Sequence, residues 1–451
     1  MFRSSIYIDK AKQIVKLAMP IIAGQLGQVL MGFFDTIQIG AMGHEYIAAS
    51  GFANGIYWMT ILLGMGILFA VSPLVSKAFG EQRGYRSIGV LKASLWVSLA
   101  LTFIFMIIIF IIAENLTLFR HSETDNLLGH KFLGIVNYST GFVFLFMAVK
   151  QFLDGMGRTK IGMQITVAGL IMNCILNWVL IYGKIGFPKL GIEGAAIANT
   201  LSRGAMCIAI LIFIWKDAEV VRLRKEYKIH GEKSSKSILP ILIIGIPAGL
   251  QFFWEVAAFT AGQVMSGWIS TSAEAAHMIA IGLASITFMV LTGISSAGTI
   301  LIGYAYGAKN KSDIRLSGYI VFLIALLIEV IFALVFLSCH SILPRLYTDD
   351  MDVISIASGM LIYGAFFQIS DGLQAVAAGA LRGMQDVKYP ALIAFISYWI
   401  VMAPLCYYLA FTLEMGLKGI WIGFIVGLTV AALLQLIRFQ YRINNIKFDT
   451  A

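Results

Sequence analysis

Apolar side chains in this chain are not confined to one face of a helix. In Val97–Ala113 (VSLALTFIFMIIIFIIA), Ile238–Leu250 and Ser317–Ser338 they fill nearly every position, so a helix built from any of these segments has no polar side to turn to water. Stretches long enough to cross a bilayer, at about 17–25 residues each, recur twelve times. They lie near 14–41, 47–78, 87–113, 127–152, 160–182, 191–215, 238–268, 274–307, 315–338, 352–380, 388–411 and 417–440. Several exceed what a hydrocarbon core of about 30 Å requires, which predicts tilt or bending. The pattern predicts an all-α polytopic membrane protein with twelve transmembrane helices.

Composition removes the alternatives. Of 451 residues, 59% are hydrophobic and 13% charged, against about 45–50% and about 25% in a soluble domain, which excludes a soluble enzyme. The 33 Lys+Arg exceed the 24 Asp+Glu for a net charge of +9, but they gather between the spans, as the positive-inside rule expects, and not in a nucleic-acid-binding face. With both termini cytoplasmic, Lys77, Arg83, Arg86, Lys150, Arg158, Lys160 and the Lys216–Lys236 segment fall inside, as do Lys309, Lys311, Arg315, Arg382, Lys388, Arg438, Arg442 and Lys447. Only Arg120, Lys131, Lys184, Lys189, Arg345 and Lys418 fall outside, with Arg203 in mid-span. Cys174, Cys207, Cys339 and Cys406 have no metal-ligand spacing and read as packing residues. The apolar segment after Lys10, Lys12 and Lys16 is too long for a signal peptide and carries Asp35, so it reads as a retained first span.

The spans divide six and six about the 216–237 connection, and the halves share motifs. Pro20 corresponds to Pro247, Ala48-Ala49 to Ala275-Ala276, and Ala78-Phe79-Gly80 to Ala305-Tyr306-Gly307. Leu153-Asp154-Gly155-Met156 corresponds to Leu381-Arg382-Gly383-Met384, and Gly191-Ile192-Glu193-Gly194 to Gly416-Leu417-Lys418-Gly419. Six spans per copy give both copies the same orientation. The expected organisation is an N-terminal lobe over 1–215, a linker over 216–237 and a C-terminal lobe over 238–451, related by a pseudo-two-fold axis along the membrane normal. Parallel repeats of this kind enclose a cavity and support alternating access. Pro20 and Pro247 each delete a backbone hydrogen bond, which predicts paired bending helices.

Candidate chemistry lies in the intramembrane acids, Asp35, Glu255, Glu329 and Asp371. Burial disfavours an ionised carboxylate and a neighbouring cation or donor favours it, so such an acid can alternate between a proton and another cation, as an antiporter needs. Asn173 and Asn177 are four apart and share a face of the fifth span, and Asn199-Thr200 lies in the sixth. With Asp35 these form a candidate polar site. Glu255 in Phe252-Phe253-Trp254-Glu255, and Asp371 after Phe366-Phe367, sit among aromatics able to stack on a planar or cationic compound. Glu329 among aliphatics and Arg203 in its span read as packing or snorkelling residues, and Asp349-Asp350 as helix-capping acids. Intramembrane hydrolysis is disfavoured: His44, His121, His130, His230, His277 and His340 lie at span ends or in loops, in no HExxH-like order.

Together, Met31-Gly32-Phe33-Phe34-Asp35-Thr36, Val71-Ser72-Pro73-Leu74-Val75, Leu153-Asp154-Gly155-Met156-Gly157, Gly191–Ala196, Tyr347-Thr348-Asp349-Asp350 and Ala378–Gly383 resemble, in order and over essentially the whole chain, the multidrug and toxic compound extrusion (MATE) transporters of the NorM type. The resemblance implies a two-lobed exporter of lipophilic cationic and aromatic drugs and dyes, coupled to inward Na+ or H+. It needs no other cofactor and acts as a monomer in contact with membrane lipid in the bacterial inner membrane. It implies a second-lobe cation site at Glu255 and Asp371 and a first-lobe site at Asp35, Asn173, Asn177 and Thr200, with Asp349 and Asp350 as outer acids meeting substrate. Some relatives have tyrosine at Phe288 and Phe367, where this chain offers ring faces and no hydroxyl. The alternative within the superfamily is a lipid-linked oligosaccharide flippase, which calls for several basic residues in its cleft.

Overall fold

The computed structural model describes residues 2–119, 123–446 and 448, so Arg120, His121 and Lys447 lie outside the described residues. The described residues are helical almost throughout. In order come α1 (Phe2–Gly40), α2 (His44–Leu68), α3 (Val71–Gly80), α4 (Arg86–Glu114), α5 (Glu123–Asn137), α6 (Thr140–Gly155), α7 (Thr159–Tyr182), α8 (Gly191–Lys216) and α9 (Ala218–Ile229). They are followed by α10 (Ile238–Ile269), α11 (Thr271–Gly307), α12 (Lys311–Cys339), α13 (Met351–Gly383), α14 (Lys388–Phe395), α15 (Ala403–Tyr407) and α16 (Leu417–Asn445). Among the described residues, eleven helical segments are long and apolar enough to cross a membrane, and α5 with α6, bent by 45° at their junction, gives a twelfth when the pair is counted as one span. On α4, Phe103, Ile107 and Phe110 are 59–70% exposed, the outward apolar surface of a helix whose solvent is lipid. The protein is a multi-pass membrane protein.

Two compact units emerge, one of Met1–Ile22 with Leu250–Ala451, the other of Ala23–Gly249. The divisions fall inside α1 and α10, two residues after Pro20 and two after Pro247, although both helices run on unbroken. Ile14 and Ala18 of α1 pack with Leu291, Ile294, Val321 and Val376, and Lys10 Nζ pairs with Asp313 at 2.5 Å. In the other unit Gly249 of α10 lies so close to α2 that a Cβ there would come within 2.7 Å of the Leu63 carbonyl oxygen.

Backbone turns recur at equivalent places in the two halves. Gln82 and Lys309 both follow a helix with left-handed φ of 56° and 57°, and Gly157 and Gln385 do so with 78° and 60°. In all four, the next amide reaches back to close the helix end: Arg83 to Ala78, Asn310 to Ala305, Arg158 to Leu153 and Asp386 to Leu381. This is the Schellman arrangement, which satisfies terminal carbonyls that no further turn can reach.

The eleventh span contains two π-helical stretches, Ile396–Met402 and Tyr408–Thr412, on either side of α15. Pro404 in α15 has no N–H to give, and the ladder widens around it. Met402 and Cys406 then come up against Gly427 and Gly423 of α16, where any side chain would collide with them.

The 216–237 connection contains α9, whose buried Val220, Leu223 and Tyr227 hold it to the rest of its unit. Tyr85 stacks on His230 with ring centroids 4.0 Å apart, and Arg86 Nε donates to Glu232 at 3.0 Å. Asp217 caps α9 by accepting from the Val220 amide at 3.1 Å and pairs with Arg158 at 2.6 Å. Burial alone would raise the Asp217 carboxyl, but the Arg158 and Val220 donors outweigh it and hold the group below its ordinary value of 3.8. A depressed carboxyl stabilises above its unfolded value, so this contribution is complete above about pH 5 and is lost as pH falls below about 4. Asp217→Ala should cost about 1 kcal/mol, read as faster limited proteolysis within α9 at pH 7. At pH 3.5 the difference from wild type should shrink.

Candidate functional site

Asp35 is 4% exposed, fifteen residues beyond Pro20 on α1. Asn177 of α7 donates through Nδ2 to Asp35 Oδ1 at 2.5 Å, and Asn199 of α8 donates to Oδ2 at 2.9 Å. Asn177 Nδ2 also reaches Asn173 Oδ1 at 3.4 Å. Both carboxylate oxygens thus have amide donors from two helices. Asn173 Nδ2 and Asn177 Oδ1 remain buried without partners. Gln38 Nε2 donates to the Cys174 carbonyl and Tyr182 to the Gln38 carbonyl, which tie the end of α1 to α7.

Thr200 is not a partner of Asp35. Its hydroxyl donates to Ala196 O at 2.9 Å and Ile135 O at 3.3 Å. Adjacent helical residues are about 100° apart, so only one of Asn199 and Thr200 can face Asp35, and it is Asn199. Arg203, four residues after Asn199 and so on its face, is neither isolated nor snorkelling. It donates to Ser139 Oγ at 2.7 Å, lies 5.1 Å and 5.2 Å from the ring centres of Tyr57 and Trp58, and acts electrostatically on Asp35.

The other unit holds a cavity of about 300 Å³ that brings Glu255, Asp371, Phe288 and Phe367 together. Both acids are 6% exposed. Gln374, one turn beyond Asp371 on α13, acts on Glu255, and Asp371 Oδ1 has no partner. Aromatic packing builds the wall: Phe259 meets Phe367 at 5.8 Å and Phe424 at 5.2 Å, and Phe367 meets Trp421 at 5.4 Å. His277, which sequence position marks as a span-end residue, lines the cavity at 1% exposure with Nδ1 unpartnered. The cavity has acids to hold a cation and ring faces to hold an aromatic.

Two further charges lie close by. Glu329 of α12 does not snorkel: it is 1% exposed, acts electrostatically on Asp371, and lies so close to Gly372 that a side chain there would collide with its carboxyl group. Arg382 is not a loop cation. It lies in the last turn of α13 at 8% exposure, 5.1 Å from the Phe252 ring centre, and so joins Arg203 as a base within a span. In the other half Lys150 is likewise buried, paired with Asp154 at 2.8 Å. Asp349 and Asp350 stay exposed outside both clusters, and Asp350 caps α13 by accepting from the amides of Asp352 and Val353. No group of three or more His, Cys, Asp or Glu suited to a metal ion occurs among the described residues. Gly372→Ala should lower the thermal unfolding temperature in detergent at a cost of about 1–3 kcal/mol. Gly372→Ala with Glu329→Ala should recover part of that loss, and no recovery would show that the contact is not the cause.

Comparison with known proteins matches this architecture. The MatE family model matches residues 20–179 and again 247–408, starting at Pro20 and at Pro247. The chain is 32% identical to the probable multidrug resistance protein NorM of Bacillus cereus over 99% of both chains. It is 30% identical to that of Agrobacterium fabrum over 97% of this chain and 95% of the relative. In structure it is similar to the eukaryotic MATE transporter AtDTX14, with a TM-score of 0.88 at 17% identity over 97% of this chain and 98% of the other. It is also similar to an outward-facing multidrug resistance MATE transporter of the MOP superfamily, with a TM-score of 0.87 at 21% identity over 96% of each. A chain matched by the family model in both halves, and by relatives from end to end, belongs to the MatE family.

Proposed function

We propose that this protein is a cation-coupled multidrug efflux antiporter that exports lipophilic cationic and aromatic compounds by alternating access. The observation that carries this reading is the cavity in which Glu255 and Asp371 share a wall with Phe259, Phe288 and Phe367. Its chemistry suits a flat cation, held by charge and by ring faces. The names of the relatives, which are multidrug resistance proteins, support the same substrate class.

In this reading the drug cation enters from the cytoplasm or inner leaflet and is held by the acids. Na+ or H+ arriving from outside then takes the carboxylates and displaces it, since two cations competing for one buried anionic site cannot both be compensated. The divisions just after Pro20 and Pro247 suit bending at those residues as the units rock. The Asp35 site is a second cation or proton site, with Asn173, Asn177 and Asn199 in place of Thr200 as its neighbours. We place the protein in the bacterial cytoplasmic membrane with both termini inside, on the distribution of Lys and Arg.

The test loads energy-depleted cells with ethidium and follows fluorescence after a Na+ jump at constant pH with protonophore present. Prompt loss of fluorescence, absent in Asp371→Asn and Glu255→Gln, is the expected result. Efflux only after an acid pulse without protonophore would make the ion H+. Unchanged coupled efflux in Asp371→Asn, Glu255→Gln and Asp35→Asn proteins would overturn the reading. At the first site, Asn199→Leu should lower coupled efflux about tenfold or more, because it leaves a buried carboxylate oxygen without its donor. Thr200→Val should stay within about twofold of wild type, as its hydroxyl serves only backbone carbonyls.

A further inference from the structure

We propose that Arg382 is a tethered cation that competes with the coupling ion for the Glu255 carboxylate, a positioning residue that weakens ion binding so that the ion can leave. The inference rests on the cation-coupled reading above. Phe252 and Glu255 are three apart on α10 and so share a face one turn from each other. The Arg382 guanidinium is packed 5.1 Å from the Phe252 ring centre and acts electrostatically on Glu255. Its backbone is firmly held: Ser295 and Thr299 of α11 donate to the carbonyls of Ala375 and Gly379 at 2.7 and 2.8 Å. A Cβ on Gly383 would come within 2.8 Å of the Thr299 carbonyl oxygen, so the two helices are in backbone contact on either side of Arg382.

A guanidinium buried in a membrane span is retained against a large desolvation cost, which calls for a nearby anion as its partner. When Glu255 and Asp371 are ionised and Glu329, which acts on Asp371, holds its proton, the cluster carries two negative charges and Arg382 compensates one. The cluster then has room for one monovalent cation. When that cation leaves, Arg382 keeps Glu255 from standing as an uncompensated buried anion. The equivalent place in the other half differs in kind, because Asp154 is there and closes its own pair with Lys150. At this place the half with the cavity carries a buried arginine, where the other half carries a closed Lys–Asp pair.

The outcome expected of removing the charge runs opposite to that of losing a structural residue. In purified full-length protein, with a trace of tetraphenylphosphonium well below its own Kd as the bound probe so that the midpoint reports Na+ affinity alone, the Na+ concentration that displaces half of it should fall roughly tenfold in Arg382→Gln. If Na+ is without effect on wild type, the same shift is read as displacement at a higher pH. Ethidium export by cells should slow, because the ion is released less readily. Arg382→Lys, which keeps the charge, should stay within about twofold of wild type. Phe252→Leu, which removes the ring that holds the guanidinium, should move the midpoint in the same direction by less, and it supplies the test if Arg382→Gln does not fold. A midpoint that rises or stays put in these variants overturns the proposal. If wild type binds the probe and neither Na+ nor acid displaces it, the cation-coupled reading itself fails.

Discussion

A bilayer core supplies neither hydrogen bonds nor ions to a chain that crosses it, and the rest of this structure depends on that constraint. Each backbone N–H and C=O must be satisfied within its own span, so the chain crosses as helices. Where a helix has to stop, Schellman turns at Gln82, Gly157, Lys309 and Gln385 take up its last carbonyls. Each interior charge must likewise be compensated from within. Lys150 has Asp154, Arg203 has Ser139 and two aromatic rings, and Asp35 has two amides.

The two acid clusters answer the constraint differently. Around Asp35 the donors come from α7 and α8 and close over both carboxylate oxygens. Around Asp371 one oxygen has no partner, and the neighbours are Glu329, His277 and a wall of aromatic rings. A carboxylate with both oxygens satisfied keeps its geometry with little help from outside. An incompletely satisfied one gains most from an arriving cation or proton, because desolvation has already been met by the fold. That asymmetry is what supports the proposal that drug and ion compete in the cavity.

Much of this was legible in the chain itself. An apolar stretch without a polar face has one stable destination, so the spans could be placed from residue type and length alone. α4 at Arg86–Glu114 lies within a residue of its expected limits. The acids were legible for the same reason, since a carboxyl in such a stretch is too costly to be incidental. Asn173 and Asn177 could be put on one face because helical periodicity is local. The residues that went unread depend on neighbours remote in sequence. Glu329 is surrounded by aliphatics along the chain, yet it meets Gly372 across a helix contact. Arg382 follows the motif of a positive-inside turn, yet it is covered once α13 packs against α11. Spacing placed His277 at a span end without indicating that a cavity opens there.

The sequence by itself determined that this chain is an internally repeated, all-helical multi-pass membrane protein with acids in its spans, because those properties follow from hydropathy, helical period and the cost of burying charge. Only the tertiary structure decided which polar groups meet: that Asn199 and not Thr200 serves Asp35, that Arg203 is partnered, that Arg382 belongs to the interior, and that the 216–237 connection folds as a docked helix. A contact between helices depends on the rotation and approach of both, and a one-residue change in either turns a side chain by about 100°. That choice is made by packing, which no local pattern encodes.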